Sequence, residues 1–268
     1  MNEHQEMAQD AGEASPEAVR EAEARIRRLS RRSFLWAGLA TGAGVGGLVA
    51  FNKYAPESNG AKIPLRKVLG FNETVAQRLF YRPTHRAREF PRSAAEEPRN
   101  NYKGTTPVVD LAAWRLRLSG LGDGAEDRKL TLADLRDLPR AEQTTELKCI
   151  EGWSTVVNWS GVRFVDFAKK YAPPSGTEYV SMLSEPADYP DERYYVGLHL
   201  ADCLHPQTLL ATHMNGTPLR VEHGAPLRLV IPHKYGIKNI KLITSIAYAR
   251  ERPTDYWYEQ GYDWYAGL

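Results

Sequence analysis

The chain has 268 residues, of which 42% are hydrophobic and 25% charged, and a formal charge of +2. This is the composition of a globular protein with a core of its own, large enough for one sizeable domain or two small ones, and it lacks the dominant basic excess of a nucleic-acid binder. Two cysteines exclude a disulfide-stapled scaffold and leave at most one bridge, between Cys149 and Cys203.

Residues 1–24 are polar and supply no core. Arg25, Arg27, Arg28, Arg31 and Arg32 then form a basic block that ends in Ser30-Arg31-Arg32-Ser33-Phe34-Leu35, after which residues 34–51 carry no charge. A twin arginine ahead of a glycine-rich apolar run is the pattern of an export leader for proteins that fold before they cross the membrane. The basic block sets the N-terminus on the cytoplasmic side. The uncharged run is just long enough to span a bilayer, and no clean Ala-x-Ala site lies near Ala50, so residues 1–54 read as a leader or as a retained N-terminal anchor. Residues 55–99 are rich in Arg, Pro and polar side chains and are expected to form a linker that wraps over the domain, with Arg82, Arg86, Arg88, Arg92 and Arg99 available to anions. The folded domain is expected over residues 100–268.

Within that domain the alternation from Trp114 to Leu118 predicts a half-buried strand ending in a glycine turn. Thr131 is placed to cap a short helix that Pro139 closes. Strands are expected at Thr144 to Cys149, Tyr179 to Leu183, Tyr194 to Leu198, Leu209 to His213, Leu227 to Ile231 and Ile240 to Ala249. A helix is expected from Phe164 to Tyr171, and Asn215-Gly216 is a hairpin turn signal. Many short strands with few short helices give a mixed, strand-rich α+β class. No internal repeat and no GxGxxG nucleotide fingerprint is present.

Three groups of residues could carry chemistry. Cys149, on a strand end and followed by Glu151-Gly152-Trp153, could present a thiolate to a soft metal; a disulfide with Cys203 is its competitor. Cys203, in Leu200-Ala201-Asp202-Cys203-Leu204, reads as a small core residue. The stretch from Met214 to Lys241 offers Arg228, Lys234, Lys238 and Lys241 around Gly224 and Gly236, a mix able to hold a phosphate and a polar heterocycle. On spacing alone, a solvated cationic face beside a core strand is the simpler reading. His199, His205, His213, His223 and His233 fall in one stretch but without the spacing of a helix-borne ligand pair, so structural histidines are expected over a zinc or copper site.

Taken together, Cys149-Ile150-Glu151-Gly152-Trp153, Trp159-Ser160-Gly161-Val162, Leu204-His205-Pro206-Gln207-Thr208-Leu209-Leu210-Ala211, Met214-Asn215-Gly216-Thr217-Pro218-Leu219, Gly224-Ala225-Pro226-Leu227-Arg228 and Lys234-Tyr235-Gly236-Ile237-Lys238 resemble the molybdopterin oxidoreductases of the sulfite oxidase superfamily. The likeness covers roughly residues 100–255 and favours the exported bacterial branch that includes the catalytic subunit of periplasmic methionine-sulfoxide reductase. It implies one molybdenum on one molybdopterin, with Cys149 as the protein ligand to the metal. It implies further that Asn100 and Tyr102 touch the pterin, that Ser184 stands at the cofactor, and that Arg228 and Asn239-Ile240-Lys241 hold the pterin and its phosphate. His223 stands where relatives often have Asn, and can also donate a hydrogen bond. Trp153 and Tyr235 are the candidates for shaping the substrate approach.

The implied reaction is two-electron oxygen-atom transfer, most simply reduction of an S-oxide. Sulfite oxidases proper follow the ligand cysteine with an Asn-Arg-Arg type segment that this chain lacks. A sulfite-type oxidase and a non-catalytic histidine-rich metal-binding or partner subunit are the alternatives. With no CxxCH and no iron–sulfur cysteine set, electrons would pass through a partner, by resemblance a membrane haem protein. After Ala249 only a short aromatic tail follows in place of a dimerisation domain, so a monomeric catalytic unit is expected, exported to the periplasm.

Overall fold

A computed structural model describes residues 16–82, 84–99, 110–121, 126–184 and 193–267. Asn100 and Tyr102 lie outside the described residues. The chain divides into two compact units, one ending at Pro56 and the other spanning Glu57–Leu268.

Among the described residues the first unit holds one helix, α1 (Pro16–Tyr54). Its stretch Ser33–Tyr54 is 22 residues long with a mean hydropathy of 1.6, and none of its most apolar window is buried. At the helical rise such a stretch extends roughly 33 Å, about the hydrocarbon thickness of a bilayer.

The second unit starts with a small ribbon, β1 (Glu57–Ser58) and β2 (Ala61–Lys62), and the helix α2 (Ile63–Val75), which continues as one π-helical turn through Phe80. Residues 55–99 were expected to be a linker, and α2 was not foreseen within it. Pro64 at the start of the helix costs no hydrogen bond there.

Two sheets make the body. In the first, the strands β5 (Arg140–Lys148), β6 (Ser154–Arg163), β9 (Leu209–Met214) and β10 (Thr217–Pro218) lie in the order β10-β9-β6-β5, and β11 (Arg228–Val230) pairs with β9 as well. In the second, β3 (Leu116–Ser119), β4 (Arg128–Leu130), β7 (Tyr179–Ser184), β8 (Tyr194–His199) and β12 (Ser245–Ala249) lie in the order β4-β3-β12-β7-β8, with β3 and β12 parallel. Alternate residues of β3, β7 and β12 are buried, which is the period-2 pattern that made these strands readable.

The main core fills the space under the second sheet. Leu116, Leu118, Val180, Met182, Val196, Leu198 and Ile246 meet Phe164 and Phe167 of α4 (Phe164–Lys170) together with Leu229, Ile231 and Ile243. A smaller cluster of Val157, Trp159, Leu209, Ala211, Met214 and Val230 packs on the first sheet. The helix α3 (Leu132–Arg136) opens with a full capping box between Thr131 and Asp134. Asn215 and Gly216 both have positive φ, as the tight β9–β10 turn requires.

Three expectations are corrected. The strand at Ile240 to Ala249 forms only from Ser245, because Leu242 has a φ of 47° and residues 240–243 instead bond across to β11 and its flanks. The long strand β6 was not expected; it lies between two neighbours and has a continuous run of buried residues, so it shows little alternation. Cys149 and Cys203 form no disulfide: Cys203 is fully buried in α5 (Leu200–Cys203), as a core residue.

Candidate functional site

β5 and β6 form the longest hairpin of the described residues, in register from Arg140↔Val162 to Lys148↔Ser154, and Cys149 opens the turn at its tip. The Cys149 N–H donates to the Trp153 carbonyl at 2.9 Å, and the Gly152 N–H donates to the Cys149 carbonyl at 3.1 Å. Gly152 has a φ of 87°, a conformation that suits glycine. Trp153 is fixed to this turn by its indole N–H, which donates to Glu151 Oε2 at 3.0 Å. Burial pushes the Cys149 thiol up, while the backbone N–H groups of Glu151 and Ile150 act in the opposite sense. In that setting a bound cation is what would hold the sulfur as thiolate.

A second segment closes onto the tip. A methyl group at Gly236 would stand 3.3 Å from the Lys148 carbonyl oxygen and 3.7 Å from Cys149 Cα, so the backbone at Tyr235–Gly236 runs alongside the cysteine. Asn239 shapes this segment: its Oδ1 accepts from the Ile231 N–H at 2.9 Å and its Nδ2 donates to the Tyr235 carbonyl at 3.1 Å. Tyr235 also donates its N–H to Ala266 in the C-terminal tail, at 3.0 Å. Ile240 is a core residue whose carbonyl accepts from Leu229, so only its backbone can face a ligand.

Behind this segment lies a buried cationic group. Arg228, on β11, is 2% exposed; it donates to the His223 carbonyl at 3.0 Å and the Asn239 carbonyl at 3.3 Å, while its Nε has no hydrogen-bond partner. Its guanidinium lies 4.5 Å from the centre of the Trp159 ring. Among the described residues no carboxylate pairs with it, and burial lowers it to about 10.

Lys241 donates to the Glu222 carbonyl at 3.1 Å; burial and then the Arg228 charge bring it down to about 8. Burial, then Lys241, Arg228 and Arg220, lower the His223 imidazole to about 4, with Glu222 opposing, and His223 Nε2 lies 3.2 Å from Glu97. The turn at Gly224, φ 97°, is packed so tightly that a Cβ there would come within 2.7 Å of Lys241 Cβ. The solvated-face reading of these cations is therefore overturned. Lys234 and Lys238 are buried too, but each is paired, with Asp202 at 2.9 Å and with Asp255 at 2.6 Å.

The structure thus links Cys149 to Trp153 across the turn and brings the Tyr235–Gly236 backbone alongside it, with Asn239 bonded to Tyr235 and Arg228 bonded in turn to Asn239 and His223. Lys241 packs against the Gly224 turn. Ser184 ends β7, buried, and no hydrogen bond or ion pair among the described residues joins it to this group. Sequence reasoning missed Trp159 as the ring under Arg228 and Gly236 as the close-approach glycine; glycine spacing between cations was the available signal.

Each of the histidines from His199 to His233 has a structural partner, and His205 and His233 adjoin, with ring centres 4.5 Å apart. His199 bonds Glu73, His205 bonds the His85 carbonyl, His213 bonds Thr212, and His233 lies 3.3 Å from Asp202. Among the described residues no three His, Cys, Asp or Glu side chains form a metal-holding group. A cavity of about 540 Å³ opens beside the tip. Its wall includes Glu146, Lys148, His233 and Arg82, but not Cys149 itself.

A half-buried cysteine on a hairpin tip and a buried arginine with no carboxylate partner among the described residues are the groups a molybdopterin would need, a soft ligand for the metal and a cation for the phosphate-bearing pterin. The match to the family model of the oxidoreductase molybdopterin binding domain over residues 103–257 makes the assignment: the chain belongs to that family and is a molybdopterin oxidoreductase of mixed α+β fold.

Among curated relatives, it is 35% identical over 201 residues to the putative protein-methionine-sulfoxide reductase subunit YedZ1 of Azospira oryzae, covering 74% of this chain and 73% of that one. It is 37% identical over 162 residues to the protein-methionine-sulfoxide reductase catalytic subunit MsrP of Xanthomonas campestris pv. campestris, covering 57% of this chain and half (50%) of that protein. The uncharacterized oxidoreductase YuiH of Bacillus subtilis is 33% identical over 187 residues, 66% of this chain and 90% of its own length. The sulfane dehydrogenase SoxCD of Paracoccus pantotrophus shares the fold, with a TM-score of 0.51 at 18% identity over 63% of this chain and 46% of that one.

Proposed function

We propose that the protein is an exported sulfoxide reductase, which takes a methionine-type sulfoxide to the thioether with two electrons and two protons and releases water. The observation that carries the reading is the buried Arg228, with no described carboxylate partner, linked through Asn239 to the segment that lines Cys149. The names of the Azospira and Xanthomonas relatives support the substrate class.

In this reading Cys149 is the ligand to molybdenum, and the bound molybdopterin supplies oxygen-atom and two-electron transfer. The chain's own residues do the rest. Arg228, Lys241 and His223 hold the pterin and its phosphate, with Asn239 setting the Tyr235–Gly236 segment and Ile240 offering its backbone. Ser184, Asn100 and Tyr102 complete the cofactor contacts, a role carried over from the resemblance. Trp153 and Tyr235 flank the approach to the metal, Trp153 being held by Glu151. Electrons come from a membrane haem partner, and one pterin serves one monomeric catalytic unit. Export follows the twin-arginine route, and residues 34–51 stay as the anchor. The segment divisions at 1–54, 55–99 and 100–268 belong to the same reading.

The test is expression in a molybdopterin-competent host, with metal analysis and reduction of methionine sulfoxide by a reduced viologen dye. One molybdenum per chain, lost in Cys149→Ser together with activity, is the expected result. Molybdenum that persists in that variant, or turnover of sulfite but no sulfoxide, refutes it.

A further inference from the structure

Helix α2 is amphipathic in the wrong direction for a domain helix. A helix on a globular body normally turns its apolar stripe inward. Here the side that faces the body is anchored by polar groups. Arg66 donates to the carbonyls of Ser58 at 3.3 Å and Tyr262 at 2.6 Å and to those of Asn59 and Tyr258, and it lies 3.9 Å from the centre of the Tyr258 ring. Glu73 is buried against His199, at 2.9 Å, and Arg252, and Gln77 bonds His199. At helical spacing on the opposite side stand Leu65, Val68, Phe71 and Leu79, which are 50%, 55%, 67% and 65% exposed.

Exposed Lys67 and Arg78 flank this stripe and Arg82 follows it, while Glu73, turned inward, is the only acid from residue 63 to residue 82. An apolar stripe edged by cations, with no outward acid, matches a bilayer interface with anionic headgroups. The chain reaches α2 only eight residues after Ser33–Tyr54, the stretch long and apolar enough to cross a membrane.

The geometry points to α2 as a membrane-surface helix that seats the catalytic unit on the lipid, its Leu65–Val68–Phe71–Leu79 face in the headgroup boundary. This rests on the retention of residues 34–51 proposed above. A retained span alone would leave the domain on a tether; α2 would fix which side of it faces the bilayer.

The test uses the full chain in vesicles of phosphatidylcholine, with and without phosphatidylglycerol. The photocrosslinker benzoylphenylalanine is placed at position Phe71 and, as a control, at position Lys129. Flotation reports the anchor, and the mass of the photoadduct reports what covers α2. The expected result is a phospholipid adduct at position 71, stronger with phosphatidylglycerol, and none at 129. The adduct is lost in Val68→Glu/Leu79→Glu, whose thermal unfolding is unchanged because both side chains are exposed. A chain that floats but gives at position 71 no adduct, or an adduct to a second polypeptide, overturns the membrane-surface assignment alone. A chain that does not float overturns it together with the retained anchor.

Discussion

Two kinds of buried cation lie within the stretch from Arg228 to Lys241. Lys234 and Lys238 each meet an aspartate, Asp202 and Asp255, with side chains of both partners at most 3% exposed. Arg228 is as deeply buried but meets two carbonyls and an indole ring. The paired lysines are structural: they tie the segment to α5 and to the N-terminal end of α6 (Tyr256–Glu259), which Asp255 caps. The arginine, with no carboxylate partner among the described residues, is where the anion of the proposed cofactor would complete the structure. Burial is the same in both, and a counter-charge among the described residues is what the lysines have and Arg228 lacks.

Stranding a paired lysine should have the largest effect. Asp255→Ala leaves the Lys238 ammonium buried and removes the acceptor of the Gly197 N–H, and should cost about 3–5 kcal/mol in denaturant unfolding.

Acid should separate the two groups by pH. His223 sits at about 4, below its ordinary 6.5, so between those values the unfolded chain binds a proton that the folded one refuses, and stability falls as pH drops through that window. For Asp202, burial acts to raise the carboxyl, but His233 and Lys234 prevail and hold it at about 2, so its contribution is lost lower, as pH falls from 3.8 toward 2. Unfolding free energies across a pH series should show His223→Gln flattening only the upper window and Asp202→Asn only the lower.

Arg228→Met should sharpen the contrast. It strands no carboxylate among the described residues but leaves two carbonyls without a donor, partly offset by removal of a buried charge, so the loss of stability is about 1–3 kcal/mol while molybdenum content collapses, read by melting and metal analysis on the same sample. Gly236→Ala is the mildest change. Its methyl needs a shift of a few tenths of an ångström against Lys148, so stability stays within about 0.5 kcal/mol, and the effect should appear in the KM for sulfoxide rather than in molybdenum content.

How much of this was legible in the sequence depended on whether a residue's pattern matched its environment. β3, β7 and β12 have one buried face and alternate accordingly; the capping box at Thr131 and the turn at Asn215-Gly216 are local chemistry and were equally plain. β6 is enclosed by neighbours and lost its alternation. α2 escaped because its stripe points outward, and polar residues in an arginine-rich stretch suggested a linker. At the site, Cys149 and the cations were visible as residue types, but their burial was not, since a buried and a solvated arginine look alike in sequence. Asn239 was picked as a ligand contact, and its side chain proved to brace the Ile231-to-Tyr235 loop. Trp159 mattered for its ring under Arg228, which only the pairing of both β6 and β11 with β9 reveals.

With no carboxylate partner for Arg228 among the described residues, the proposed cofactor site would also make the protein a gauge of its own maturation. Any anion that binds there only in the folded form raises stability by mass action, so a loaded chain resists unfolding and proteolysis better than an empty one. If residues 1–54 act as the twin-arginine leader proposed above, filling the site before departure and being folded at departure become the same event.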